Sequence, residues 1–287
     1  MAEKHIDEIS GVETTGHEWD GIRELNNPMP KWWLWAYYGS IVWGVIYMIL
    51  YPAWPLVNEA TKGVLGYSSR GELASEMEQA KRAQGDIMEQ IRLQSLEDIM
   101  ADPQLVQFAT AGGASAFRVN CVQCHGTGAV GGQGYPNLND DEWLWGGDVD
   151  AIHDTIVHGV RDSVDPDTRY SEMPGFADML EPEEIRQVAA YVVSLSGTPR
   201  DASMVEPGAA LYADNCASCH GDDAEGNRDF GAPNLADAIW LKVQGEAEIV
   251  AQIQAPKHGV MPAWGTRLNS ETIKQLAVYV HSLGGGE

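Results

Sequence analysis

From Gly113 onward the sequence states itself twice, so the fold must use one kind of small unit two times. GASAFRVNCVQCHG, Gly113 to Gly126, aligns with GAALYADNCASCHG, Gly208 to Gly221, at a constant offset of 95 residues. Pro136-Asn137-Leu138 matches Pro233-Asn234-Leu235, Trp143 matches Trp240, and His158-Gly159 matches His258-Gly259. Met173-Pro174 and Met261-Pro262 correspond, as do Tyr191-Val192 and Tyr279-Val280, both at offset 88. The first copy therefore carries a 12-residue excess, the acidic run VRDSVDPDTRYSE, between its His-Gly and Met-Pro pairs. Each copy opens with a short helix, passes through a loop rich in Gly and Asn, and closes on an amphipathic helix, EPEEIRQVAAYVVSL or NSETIKQLAVYVHSL. Gly113 and Gly208 are expected to let the first helix of a unit cross closely over its last, which carries Tyr191 or Tyr279. Units of fewer than 100 residues with so little alternating β-branched sequence need something to fill their middle.

The two copies use up all four cysteines of the chain, each as Cys-x-x-Cys-His. On a helical turn, thiols at i and i+3 project to one side and the imidazole at i+4 follows on that face. Two such thiols can capture the vinyl groups on one edge of a haem as thioethers, leaving the histidine aimed at the iron; this is the c-type haem attachment pattern. Zinc spacing fits poorly a histidine that directly follows the second cysteine, and a thioredoxin-like pair has no need of the histidine. Cys121, Cys124, Cys216 and Cys219 are thus the attachment residues of two covalently bound haem c groups, with His125 and His220 as axial iron ligands. The aligned Met-Pro pairs nominate Met173 and Met261 as sixth ligands. Met179 and His158 compete with the first of these, and His258 competes with the second. Trp143 and Trp240 either pack on the haem edge or fill core, and Asn137 and Asn234 are expected to order the loop over the haem. There is no Ser-His-Asp or paired-carboxylate arrangement, and six-coordinate iron leaves no open position for a substrate, so electron transfer is favoured over catalysis.

The chain of 287 residues carries 42 Asp and Glu against 18 Lys and Arg, a formal net charge of −24, which excludes unaided nucleic-acid binding. From Pro103 onward there are 26 acidic and 10 basic residues, a surface suited to steering a basic protein partner.

Ahead of the repeat, residues 1–31 are polar and acidic and lack the features of a secretory signal. Residues 32–57, WWLWAYYGSIVWGVIYMILYPAWPLV, contain no charge, are apolar on every face and crowd Trp and Tyr at both ends. That is long enough to cross a bilayer and reads as one uncleaved transmembrane anchor, distorted or ended by Pro52 and Pro55. Flanking Lys and Arg are evenly divided, so charge gives no orientation. Haem attachment on the outer side of the bacterial inner membrane puts both units in the periplasm and the N-terminus in the cytoplasm. Residues 58–107 are a helical connector, helical over Ser69 to Met100, and residues 108–198 and 205–287 form two tandem cytochrome c domains. The fold class is mainly α.

One span followed by two such domains, introduced by HEWDGIRELNNPMPKWWLW (His17 to Trp35) and closed by YPAWPLV, resembles the dihaem cytochrome c subunit of cbb3-type cytochrome c oxidases, the CcoP or FixP family. The haem motifs are common to many cytochromes; DGIRELNNP with the Trp cluster is the specific part. The resemblance implies class I cytochrome c domains and an electron-transfer subunit that is not an enzyme by itself. It would accept electrons from a cytochrome c or a cytochrome bc1 complex. It would pass them to the monohaem subunit of a proton-pumping oxidase that also has a haem-copper catalytic subunit and a small membrane subunit. An independent membrane-tethered shuttle or a dehydrogenase cytochrome is the alternative, and a dihaem peroxidase would need one iron to lose its distal ligand.

Overall fold

The computed structural model describes residues 5–286, and the chain divides within one helix into two units, Met1–Ala83 and Gln84–Glu287. In the first unit the polar N-terminal segment forms a hairpin that sequence pattern does not announce. Strands β1 (Thr14–Trp19) and β2 (Ile22–Leu25) pair antiparallel across Asp20-Gly21. Both turn residues have positive φ, 49° and 82°, the two-residue geometry that Asp-Gly favours because it follows the strand twist. A cross-strand ion pair, Arg23 Nε to Glu18 Oε2 at 2.7 Å, sits beside the turn.

Helix α1 (Lys31–Leu50) is the one helix among the described residues long and apolar enough to cross a membrane, and the chain buries none of its side chains. It is shorter than the 26-residue uncharged run. Pro52 disfavours helical geometry at Tyr51, which is extended at φ −113°, and the rest of the run continues as loop. The chain then turns back, and the amides of Val64 and Leu65 donate to the carbonyls of Ile49 and Leu50 at 2.9 and 3.1 Å, satisfying groups that the helix end leaves free.

Helix α2 (Ser69–Leu93) spans the division between the units. The expected single helix to Met100 is broken at Gln94-Ser95, where Ser95 caps α3 (Leu96–Ala101). Asp102 followed by Pro103 opens α4 (Pro103–Asn120), its carboxylate accepting from the amides of Gln104 and Leu105. The second unit continues with α5 (Val122–His125), α6 (Val149–His158), α7 (Pro182–Ser196), a 3₁₀ turn at Ala202–Met204, α8 (Val205–Asn215), α9 (Ala217–His220), α10 (Glu246–Gln254) and α11 (Ser270–His281). Both closing helices are capped at their starts. Asn269 caps α11 through the Thr272 amide, and Glu181 and Glu184 form a capping box on α7.

The packing does not follow the repeat. The opening helix of the first copy, α4, lies on the closing helix of the second, α11, and α8 lies on α7. Gly113 and Gly208 do serve as close-approach points, but each against the other copy's closing helix. A Cβ on Gly113 would lie 2.1 Å from the Gln275 carbonyl oxygen, and one on Gly208 would lie 2.0 Å from that of Gln187. One core joins Phe117, Ala129, Ile152 and Ile156 to Ile273, Leu276, Ala277 and Val280. The other joins Tyr212, Ala224, Ile249 and Ile253 to Phe176, Ile185, Val188, Ala189 and Val192. Residues 108–198 and 205–287 are thus two sequence copies that exchange their C-terminal segments between two cores. The later part of the connector, from Gln84, belongs to this unit as well, since Ile91, Leu96, Ile99 and Leu105 pack with Val278 of α11. The Lys274 ammonium donates to the carbonyls of Ile91, Arg92 and Gln94, closing the C-terminal end of α2.

Candidate haem sites

Both Cys-x-x-Cys-His motifs fold the same way. The first cysteine ends one helix and begins a single turn, α5 or α9, with the His125 and His220 amides bonded to the Cys121 and Cys216 carbonyls at 2.9 and 3.0 Å. Gly126 and Gly221 then leave the helix at φ 78° and 83°, a conformation an L side chain adopts only with strain. The loop folds back under each histidine: Gly131 and Gly226 donate to the His125 and His220 carbonyls, both at 2.8 Å. Leu138 and Leu235 donate to the Ala129 and Ala224 carbonyls. These two alanines are buried and left-handed, at φ 59° and 61°, and escaped the sequence reading although they too stand 95 residues apart. Asn137 Oδ1 accepts from the Asn139 amide and Asn234 Oδ1 from the Ala236 amide, so both asparagines order this loop as expected.

The residues suit a covalently held haem. No disulfide joins any two of the four cysteines; Cys121 and Cys216 are half-buried, Cys124 and Cys219 exposed. Burial, with a smaller contribution from the neighbouring cysteine, pushes the Cys121 and Cys216 thiols up to about 11. Each imidazole is fixed by its Nδ1, 3.1 Å from the Pro136 carbonyl oxygen in one motif and 3.1 Å from that of Pro233 in the other. A carbonyl only accepts, so Nδ1 carries the proton and the Nε2 lone pair remains for a metal. Burial holds both histidines below the usual imidazole value, against a smaller opposing effect of the proline carbonyl, which keeps that lone pair free.

The two methionines lie across from the wrong copy. Met261 packs in the core that holds Cys121, Val122, Leu138 and Trp143, and its backbone pairs with Val160 in both directions at 2.9 and 3.0 Å. Met173 packs in the core that holds Cys216, Ala217, Leu235 and Trp240. Of the competitors, Met179 is exposed, and His158 is engaged by Asp165, with Nδ1 3.2 Å from a carboxylate oxygen. His258 is half-buried and three residues from Met261. Trp143 and Trp240 take equivalent places in the two cores, and the Trp143 indole N–H is spent on the Gly285 carbonyl.

The copies also meet through carboxyls. Asp237 Oδ2 is buried with no conventional donor, and Glu142 beside it is pushed up to about 7, by burial first and then by the Asp237 carboxylate. A proton kept on Glu142 supplies the donor that Asp237 lacks. Asp141 and Asp140 reinforce the shift. Because this carboxyl loses its proton near 4.5 when unfolded but near 7 when folded, the folded state is favoured at the acid end of that window and loses the advantage as pH rises through it. The thermal midpoint of the wild type is expected to fall between about pH 5 and pH 8, and Glu142→Gln to flatten that slope. An unchanged slope in the variant would remove Glu142 as its source.

Comparison with known proteins agrees in every region. The family described as the N-terminal domain of cytochrome oxidase-cbb3, FixP, matches residues 11–58, which include the hairpin and α1. The family described as cytochrome c oxidase, cbb3-type, subunit III, matches residues 108–192 and again 203–280. The cbb3-type cytochrome c oxidase subunit FixP of Rhizobium meliloti is 63% identical over 99% of this chain and 98% of its own length. The subunit FixPc of Rhizobium leguminosarum bv. viciae is 60% identical over the full length of both chains. The subunit CcoP of Cereibacter sphaeroides is 53% identical over 96% of this chain and 95% of its own.

Proposed function

We propose, from the premise that this chain belongs to the FixP/CcoP family of cbb3-type cytochrome c oxidase subunits, that it takes electrons from a cytochrome c or cytochrome bc1 donor through two haem c groups with crossed methionine ligands. The family is one of electron-transfer subunits, and the other subunits of the oxidase are its partners. The monohaem subunit is the acceptor, and the catalytic subunit downstream reduces oxygen. The chain itself conducts and does not catalyse.

Cys121, Cys124 and His125 hold one haem, and Cys216, Cys219 and His220 hold the other. Met261 serves the first iron and Met173 the second. The observation that carries this reading is the membership of each methionine in the core of the other copy's cysteine motif. A bound haem c would supply one-electron chemistry, and a methionine and histidine ligand pair would raise its potential relative to a more basic pair. The protein's part is to orient. Proline carbonyls set each imidazole ring, and the buried alanine and asparagine turns hold the loop that keeps water from the site. Steering by the net charge of −24 favours a cationic donor, with an association rate that falls as salt is added.

The helix Lys31–Leu50 anchors the chain in the inner membrane. The hairpin lies on the cytoplasmic side and the haem units in the periplasm, where haem is attached to such motifs. The membrane complex purified through this chain is expected to carry an oxygen-reducing haem-copper partner, and the denatured chain to keep its haem stain. Replacing Cys121 and Cys124 together by serine should halve the haem per chain in a pyridine-haem assay. Haem content unaffected by that double change, or removed completely by acid-acetone extraction, would refute two covalent sites.

A further inference from the structure

One side chain bonds to both methionine-bearing segments. Arg161 begins the segment peculiar to the first copy, and it is a non-glycine residue in the left-handed region, at φ 53°. Such a conformation persists only where the surroundings enforce it. Its neighbours are pinned: Val160 is paired with Met261, and the Asp162 carboxylate accepts from the Ala263 amide at 3.1 Å. The Arg161 amide itself donates to the Arg169 carbonyl at 2.8 Å. From this fixed base the half-buried guanidinium reaches two carbonyls. Nε donates to Gly259 at 2.7 Å, and Nη1 donates to Ser171 at 2.8 Å.

Those acceptors are equivalent. Gly259 stands two residues before Met261, and Ser171 stands two residues before Met173. A planar guanidinium presents its donors in a rigid fork, so the two bonds fix one carbonyl relative to the other. Arg161 falls within the acidic excess of the first copy, and the second copy has no matching residue. The cation is therefore shared by the two segments rather than duplicated.

We propose that Arg161 is the positioning residue for both sulfur ligands, so that one side chain sets how firmly the two irons are held six-coordinate and makes the two sites vary together. This rests on the ligand assignment given above. It adds that the ligands are coupled through a group that touches neither iron.

The test uses the full-length haem-loaded protein with Arg161→Gln and Arg161→Lys, and Arg186→Gln as a control in the exposed pair with Glu183. The readout is the near-infrared sulfur-to-iron band of the oxidised protein, per haem, together with carbon monoxide binding to the reduced protein, which requires an opened position. Arg161→Gln is expected to lose more than half of the band, a loss too large for one site, and to bind carbon monoxide at both irons. Arg161→Lys keeps the charge but offers one nitrogen in place of the two that reach Gly259 and Ser171 in a rigid fork, and is expected to lose an intermediate fraction. The control should be unchanged. A full band in Arg161→Gln, or a loss limited to half with one iron still closed to carbon monoxide, overturns the shared role. If Arg161→Gln fails to retain haem, Arg161→Lys decides: an undiminished band refutes the proposal and a reduced one at both irons supports it. Absence of the band from the wild type would instead strike the methionine assignment itself.

Discussion

Replacing Met261 by alanine removes the sulfur-to-iron band of the haem on Cys121 and Cys124 and leaves that of the haem on Cys216 and Cys219 in place. The expectation runs against sequence order, since Met261 follows the second motif by 41 residues and the first by well over a hundred. It follows from packing: Met261 shares a core with Cys121, Val122 and Leu138, and its backbone is bonded to Val160 just beyond α6. Two backgrounds make the test unambiguous. With Cys216 and Cys219 changed to serine only the first haem remains, and there Met261→Ala should abolish the band while Met173→Ala spares it. With Cys121 and Cys124 changed instead, the roles reverse. The loss should be complete in each case, and the potential of the affected haem should fall because the thioether no longer favours the reduced form. If Met173→Ala silences the first haem, the segments are not exchanged.

The second large effect is expected at a helix crossing. Gly113→Val should cost more than the roughly 1–3 kcal/mol typical of an overfilled core, because the obstacle is backbone. The added carbon would stand 2.1 Å from the Gln275 carbonyl oxygen and 2.6 Å from Tyr279 Cβ, neither of which is a flexible tip. The helices α4 and α11 would have to separate, opening the core around Phe117, which is almost fully buried against Tyr279 with ring centroids 5.4 Å apart. Gly112→Ala meets only the Gln275 side-chain amide, and Gly128→Ala meets nothing closer than 3.8 Å, so these should cost less and almost nothing respectively. Chemical denaturation of the haem-loaded protein would rank the three. Equal stability of Gly113→Val and Gly128→Ala would mean that the close helix crossing is not needed.

Local chemistry was the legible part of this chain. The Cys-x-x-Cys-His spacing and the uncharged aromatic-flanked run are each written within a few residues, and that run supplies α1, although the helix ends at Leu50. The hairpin at Asp20-Gly21 could have been read from its turn dipeptide, but its strands lack clear alternation, and β2 is exposed at all four positions. The break at Ser95 was available in Ser-Leu-Glu-Asp, and the start of α4 in Asp102-Pro103. What repeat analysis could not supply is which copy each closing helix joins. Because the copies are alike, Gly113 finds an acceptable crossing on α7 or on α11, and the alignment scores both pairings equally. The 12-residue excess in the first copy was visible, but its use as a bridge depends on Arg161 and Asp162 reaching residues about a hundred positions away.

The exchange of closing segments also orders events during synthesis. The wall of the first site is completed by α11, so the thiols of Cys121 and Cys124 wait in an unfinished chain until nearly the last residue has emerged, with the loop-closure entropy that such a delay entails. The second site takes its closing helix from α7, already made when Cys216 appears, and the rest of its core from segments that end with α10. A ribosome-released fragment ending near residue 265 would then enclose its later motif and leave its earlier one open, the reverse of what a pair of beads threaded in order would do.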